Sequence, residues 1–124
     1  MAPAKILIID DDASVAALYG RVLSQEGYEV RVTQDAEDGL KAADVFQPDL
    51  VIVDFRMPMI NGVGFLYRLR ERRHLGDVPV VMVTGQGAVG DDVLADLRLL
   101  GASVHYKPVG QQDLIAIARG VLGR

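Results

Sequence analysis

Hydrophobic positions follow two alternating rhythms along this chain. Five short runs, KILIID (5–10), YEVRVT (28–33), DLVIVD (49–54), PVVMVT (79–84) and SVHYK (103–107), have the length and residue types of β-strands. The first, third and fourth are nearly continuous Ile, Leu, Val and Met, the pattern of strands covered on both faces. The second sets Tyr28, Val30 and Val32 against Glu29, Arg31 and Thr33, which suits a sheet edge. Between the runs the spacing shifts to the helical period. Val15, Leu18, Tyr19, Val22 and Leu23 share one face over 13–25, and Gly27 is placed to stop that helix. Asp35 is the predicted N-cap of a helix over 36–46, with Pro48 just past its end. Asn61-Gly62 opens 63–72, turning Phe65, Leu66 and Leu69 inward. Asp91 and Asp92 are placed to cap 92–100, and Gln111 to Leu122 form the last helix.

Strands alternating with helices across short connections imply a parallel sheet covered on both faces and built by right-handed crossovers. With five strands, the common solution is a flavodoxin-like, doubly wound α/β fold with strand order 2-1-3-4-5 and five helices. The pattern shows no internal repeat, linker or low-complexity segment, so 1–124 reads as one domain. Hydrophobic residues make up 50% and charged residues 24%, as in ordinary globular domains. The absence of cysteine excludes a disulfide framework and any thiolate metal site. The opening MAPAKILIIDDD ends its apolar run in three acids rather than a cleavage site, and no stretch approaches the roughly 20 apolar residues of a membrane span, so a cytoplasmic protein is expected. A net charge of −4 speaks against direct nucleic-acid binding, and the basic cluster RLRERRH (68–74) is expected to be the solvated end of a helix.

Ligands of such sheets bind at the carboxyl ends of the strands, where the strand order reverses. Here the first strand ends in Asp10, Asp11 and Asp12, the third in Asp54, the fourth in Thr84 and the fifth in Lys107, followed by Pro108. Several carboxylates in one crevice repel each other and are driven towards protonation. A hard divalent cation removes that difficulty, and Mg²⁺ suits one or two carboxylates while keeping positions for phosphate oxygens; Mn²⁺ is the alternative ion. The set fits a phosphoryl site with Asp54 as the carboxylate nucleophile, Lys107 as a second positive charge and the Thr84 hydroxyl as a donor.

Asp10 and Asp11, Asp54 ahead of Met57-Pro58, Thr84 and Lys107-Pro108 together resemble the receiver domain of two-component response regulators, over nearly the whole chain. The resemblance implies that Asp54 accepts a phosphoryl group from a histidine kinase or histidine phosphotransfer protein. It implies direct Mg²⁺ binding by Asp11, largely water-mediated binding by Asp10, and a further ligand in the backbone carbonyl of Arg56. Thr84 and Lys107 would contact the phosphoryl group, and the bond before Pro108 would be cis. A downstream protein would dock on helix 92–100, strand 103–107 and helix 111–122, where Leu99 and Ile115 are either surplus to an inward stripe or packed against each other. The protein is then either a free-standing regulator or a piece of a longer regulator or hybrid kinase.

One position departs from the family pattern. Three residues before the lysine, where the family usually carries Phe or Tyr, stands Val104; Tyr106 lies two residues on and, by alternation, on the same face. Either Tyr106 takes over part of the switch, or the switch is weaker and carried by loop 85–90, or Val104 and Tyr106 merely pack under the neighbouring helices. The Arg56 side chain either reaches over the pocket, affecting water attack on the acyl phosphate, or stays in solvent. GQGAVG (85–90) lacks the Gly-Lys-Ser/Thr ending of a phosphate-binding P-loop. Asp12 is expected to cap the first helix, His74 to lie on an exposed loop and His105 on a strand. Two rival readings remain. Asp10-Asp11-Asp12-Ala13-Ser14 loosely resembles the opening of haloacid-dehalogenase-type phosphohydrolases, with Asp10 as nucleophile and Asp12 as acid/base. A receiver that signals without phosphorylation is the other.

Overall fold

The structure, a computed structural model, describes residues 2–85, 87 and 89–123. Strands and helices alternate throughout: β1 (Lys5–Ile9), α1 (Ala13–Gln25), β2 (Glu29–Thr33), α2 (Ala36–Phe46), β3 (Leu50–Asp54), α3 (Gly62–Arg70), β4 (Val80–Thr84), α4 (Asp91–Leu99), β5 (Ala102–Tyr106) and α5 (Gln111–Leu122). The five strands form one parallel sheet in the order β2-β1-β3-β4-β5, the topology expected from the pattern, with β2 at an edge. No helix among the described residues is long and apolar enough to cross a membrane.

Alternation along the central strands divides the core into two layers. Leu7, Ile9, Val51, Val53, Val80 and Met82 pack with Leu40, Phe46, Phe65, Leu66, Leu69 and Leu97, on the side of α2, α3 and α4. Ile6, Ile8, Leu50, Ile52, Val81 and Val83 pack with Tyr19, Leu23 and Leu114 on the side of α1 and α5. Every residue of β3 and β4 is buried, which explains their unbroken apolar runs. Each fully buried Leu, Ile or Phe contributes roughly 1.5–3 kcal/mol, so these two layers hold the sheet rim in place. Gly62 opens α3 close against that core: a Cβ there would lie 2.7 Å from Met82 Sδ.

Several local expectations need correction. Leu18 is 40% exposed, because the inward face of α1 is carried by Ala16, Tyr19, Gly20, Val22 and Leu23 instead. α3 ends at Arg70 rather than residue 72, and the Arg70 guanidinium turns back into the protein, so the 68–74 cluster is not wholly a solvated face. α4 starts one residue early. Gly90 is its N-cap, with no side-chain hydrogen bond, and Asp91 and Asp92 occupy the first turn, where they favour the helix dipole rather than capping it. β5 ends at Tyr106, leaving Lys107 one residue beyond the strand. Leu99 is 85% exposed, as its surplus position implied, whereas Ile115 is partly buried against the second core layer. Asp35 and Asn61 do cap α2 and α3, accepting from the N–H groups of Asp38 and Gly64.

Candidate functional site

The four predicted strand ends converge on one rim of the sheet, each fixed by backbone bonds to its neighbour. The Asp10 N–H donates to the Thr33 carbonyl, the Phe55 N–H to Val83 and the Lys107 N–H to Thr84. These ladders hold the residues flanking the pocket while leaving their side chains to project from the rim. Asp10 is 4% exposed and Asp54 7% exposed, although both are carboxylates. A carboxylate oxygen from each of Asp10, Asp11 and Asp54 lies within 4.8 Å of the others, with Asp11 on the outside. Lys107 Nζ approaches Asp54 Oδ2 at 3.4 Å. The peptide bond between Lys107 and Pro108 is cis.

Local hydrogen bonding only partly compensates the buried charge. The Asp12 N–H donates to Asp10 Oδ1 at 2.9 Å, and the Arg56 N–H donates to Asp54 Oδ1 at 3.3 Å. Burial pushes the Asp10 carboxyl above its ordinary value of 3.8, and repulsion from Asp54 and Asp11 adds to that, against the Asp12 N–H and Lys107. Burial also raises Asp54, with Asp11 contributing in the same direction, while Lys107 and the Arg56 N–H oppose it. The rim therefore holds more negative charge than its own donors neutralise, which is the electrostatic setting for a bound cation.

The remaining residues sort themselves by geometry. Thr84 is 1% exposed, and its hydroxyl donates to the Gly85 carbonyl at 3.4 Å. Asp12 accepts from the N–H groups of Ser14 and Val15 at 3.0 and 3.2 Å, so its carboxylate caps α1 as expected. Both bonds fall on Oδ1, so the residue that the phosphohydrolase reading needs as acid/base is engaged in capping α1 through one of its two oxygens. Arg56 has an exposed side chain. Val104 packs against the first core layer, whereas Tyr106 is 42% exposed rather than tucked beneath the helices. His74 lies exposed in the loop after α3, and His105 lies on β5. Within the 85–90 loop, Gln86 and Ala88 lie outside the described residues. Sequence reasoning missed Tyr19: this buried phenol titrates above its ordinary value through burial, and then through the charges of Asp10 and Asp54. Nothing in the sequence signalled that, because Tyr19 reads as one more member of an apolar helix face.

Residues 6–119 match the response regulator receiver domain. This chain belongs to that family. It is a receiver domain of the two-component signalling systems, with the CheY-like, flavodoxin-like fold. Among curated relatives, the receiver is 36% identical to the transcriptional regulatory protein CpxR of Escherichia coli over 97% of its length and 50% of that protein's. It is 31% identical to the alkaline phosphatase synthesis transcriptional regulatory protein PhoP of Bacillus subtilis, over 97% of this chain and 49% of that one. The receiver thus spans about half the length of the curated relatives it matches. Among solved structures, the chemotaxis response regulator CheY4 of Vibrio cholerae superposes with a TM-score of 0.86 at 26% identity, covering 97% of this chain and 99% of that one. A CheY-like receiver domain protein of Methanospirillum hungatei superposes with a TM-score of 0.85 at 27% identity, covering 96% and 94%.

Proposed function

We propose that this receiver stores a phosphoryl group on Asp54 and uses it to switch a protein–protein contact. The observation that carries the reading is the buried Asp54 carboxylate, crowded by Asp10 and Asp11 and faced by the Lys107 ammonium. In transfer from a phosphohistidine of a histidine kinase or phosphotransfer protein, Asp54 Oδ forms the new bond to phosphorus as the P–N bond breaks. The electron pair leaves on the imidazole nitrogen. Lys107 faces the incoming phosphoryl oxygens as a charge-assisted donor, and Thr84 joins it once its hydroxyl turns from the Gly85 carbonyl. The all-oxygen donor set and the excess negative charge fit Mg²⁺, with Mn²⁺ the alternative. Asp11, Asp54 and the Arg56 carbonyl would hold the ion, with Asp10 acting largely through water. The ion would shield the attacking carboxylate from the phosphoryl oxygens.

Redirecting Thr84 and Lys107 would shift the 85–90 loop, α4 and β5, which couples the site to an exposed face carrying Leu99 and Tyr106. That face, formed by α4, β5 and α5, is the proposed docking surface for a downstream protein, with no direct contact to nucleic acid or membrane. A cytoplasmic location accords with this role. The test is incubation with Mg²⁺ and a small acyl phosphate, followed by mass spectrometry. Wild type is expected to gain one phosphoryl group and Asp54→Asn none. Labelling of Asp10, or repeated turnover of an external phosphate ester, would instead establish the phosphohydrolase. No labelling at all would leave a receiver that works without phosphorylation.

A further inference from the structure

Away from the acidic rim, α4 is held very differently at its two ends. Its N-terminal cap, Gly90, brings no side chain to the helix, and Asp91 and Asp92 are exposed. Val89 and Val93 are only partly buried against the core. The C-terminal end is anchored by Leu97, which is completely buried, and by Arg70 reaching across from α3. Arg70 Nε donates to the carbonyl of Leu100, the C-cap residue of α4, at 2.8 Å. Its Nη1 donates to the carbonyls of Val78 and Leu75 at 2.7 and 3.1 Å. One guanidinium therefore binds the end of α4 to the segment leading into β4. The cation also lies where the helix dipole favours it. Gly101 completes the seat: with φ of +86°, a Cβ there would come within 3.1 Å of Arg70 Nη2.

We infer that Arg70 is the fixed pivot of α4, so that rearrangement of the 85–90 loop swings the helix about its C-terminal end instead of sliding it whole. The swing rests on the phosphoryl-acceptor reading, whereas the pin itself does not. A pinned end converts a displacement of the loop into a change of angle, moving the exposed surface of the first two turns most. Arg70 is thus a positioning residue for the output face, acting through backbone carbonyls at the opposite end of the sheet from Asp54.

The experiment uses the full chain, with backbone amides followed by NMR. In the unliganded protein, Arg70→Lys is expected to speed hydrogen exchange at residues 97–101 by about ten-fold while residue 94 hardly changes. Gly101→Ala, which crowds the guanidinium without removing it, is expected to do the same to a lesser degree. Mg²⁺ with beryllofluoride is expected to shift wild-type amides mainly over residues 89–95, and in Arg70→Lys the shifts are expected to spread into 97–101. A variant that merely loosened the core would accelerate exchange throughout α3, β4 and β5 without redistributing the ligand-induced shifts. Unchanged exchange at 97–101 in both variants overturns the pin. Wild-type shifts as large at 97–101 as at 89–95 overturn the swing. If beryllofluoride does not bind, the acceptor reading and the swing fall together, while the exchange comparison still decides the pin.

Discussion

The two ends of this sheet treat charge in opposite ways. At the carboxyl ends of the strands, Asp10 and Asp54 are buried beside Asp11, and both titrate above their ordinary value, chiefly because burial disfavours the ionised forms and in smaller part through repulsion from neighbouring carboxylates. At the amino ends, charged groups find close partners. The Lys5 N–H donates to Asp49 Oδ2 at 2.8 Å, Lys5 Nζ to the Phe46 carbonyl at 3.4 Å, and the Arg31 guanidinium lies 4.6 Å from the Phe46 ring. Arg70 satisfies three backbone carbonyls. The fold is stabilised at one rim and left electrostatically strained at the other, a division expected where a site must gain favourable interactions only on binding.

The largest effect should come from breaking the satisfied rim. Arg70→Met is expected to lower the free energy of unfolding by about 3 kcal/mol, since three carbonyls lose a charged donor. Urea titration measures it, and a loss below about 1 kcal/mol would mean that water replaces the guanidinium readily. Next comes relief of the strained rim. Mg²⁺ at about 100 times its dissociation constant should add about 2.7 kcal/mol, read as a higher Tm in wild type and in Arg70→Met but far less in Asp11→Asn. Equal shifts in all three proteins would place the ion elsewhere.

A smaller change has the opposite sign from most substitutions. In metal-free protein, Asp10→Asn is expected to raise stability by about 1 kcal/mol, because it removes a poorly compensated buried charge. The pH dependence sharpens the point. Both folded carboxyls titrate above 3.8, so as pH rises from that value the unfolded chain loses its protons first. The contribution of these groups to stability is therefore full below that value and is lost as pH rises through the raised folded values. Thermal melts in chelator should show the loss in wild type and a reduced slope in Asp10→Asn; identical slopes would contradict it. The smallest effect concerns the exposed Arg56 side chain. Arg56→Ala should change stability by less than about 0.5 kcal/mol while altering the decay rate of the acyl phosphate. An unchanged decay rate would assign that side chain to solvent alone.

Much of this comparison was legible in the sequence, though unevenly. Continuous apolar runs betrayed β3 and β4, because a strand covered on both faces has nowhere to expose a polar residue. The acidic rim was legible for a related reason: Asp10 and Asp54 interrupt such runs at positions set by topology. Arg70 was not. Its neighbours Arg68 and Arg73 are exposed, and nothing local distinguishes the arginine that folds back onto carbonyls of Leu75, Val78 and Leu100. Leu18 was misjudged, and the nearness of the correctly buried Tyr19 to the acidic rim was missed, for the same reason, since helix periodicity gives a face but not the tertiary surface that receives it. The α4 boundary moved because exposed acids favour a first turn as readily as a cap.

The most direct test of the central claim is a crystal structure determined with Mg²⁺ and beryllofluoride. The account predicts the beryllium on an Asp54 oxygen, the ion held by Asp11, Asp54 and the Arg56 carbonyl, and Thr84 and Lys107 turned towards the fluorides. An empty rim, or the fluoride adduct on Asp10 or Asp11, would contradict it.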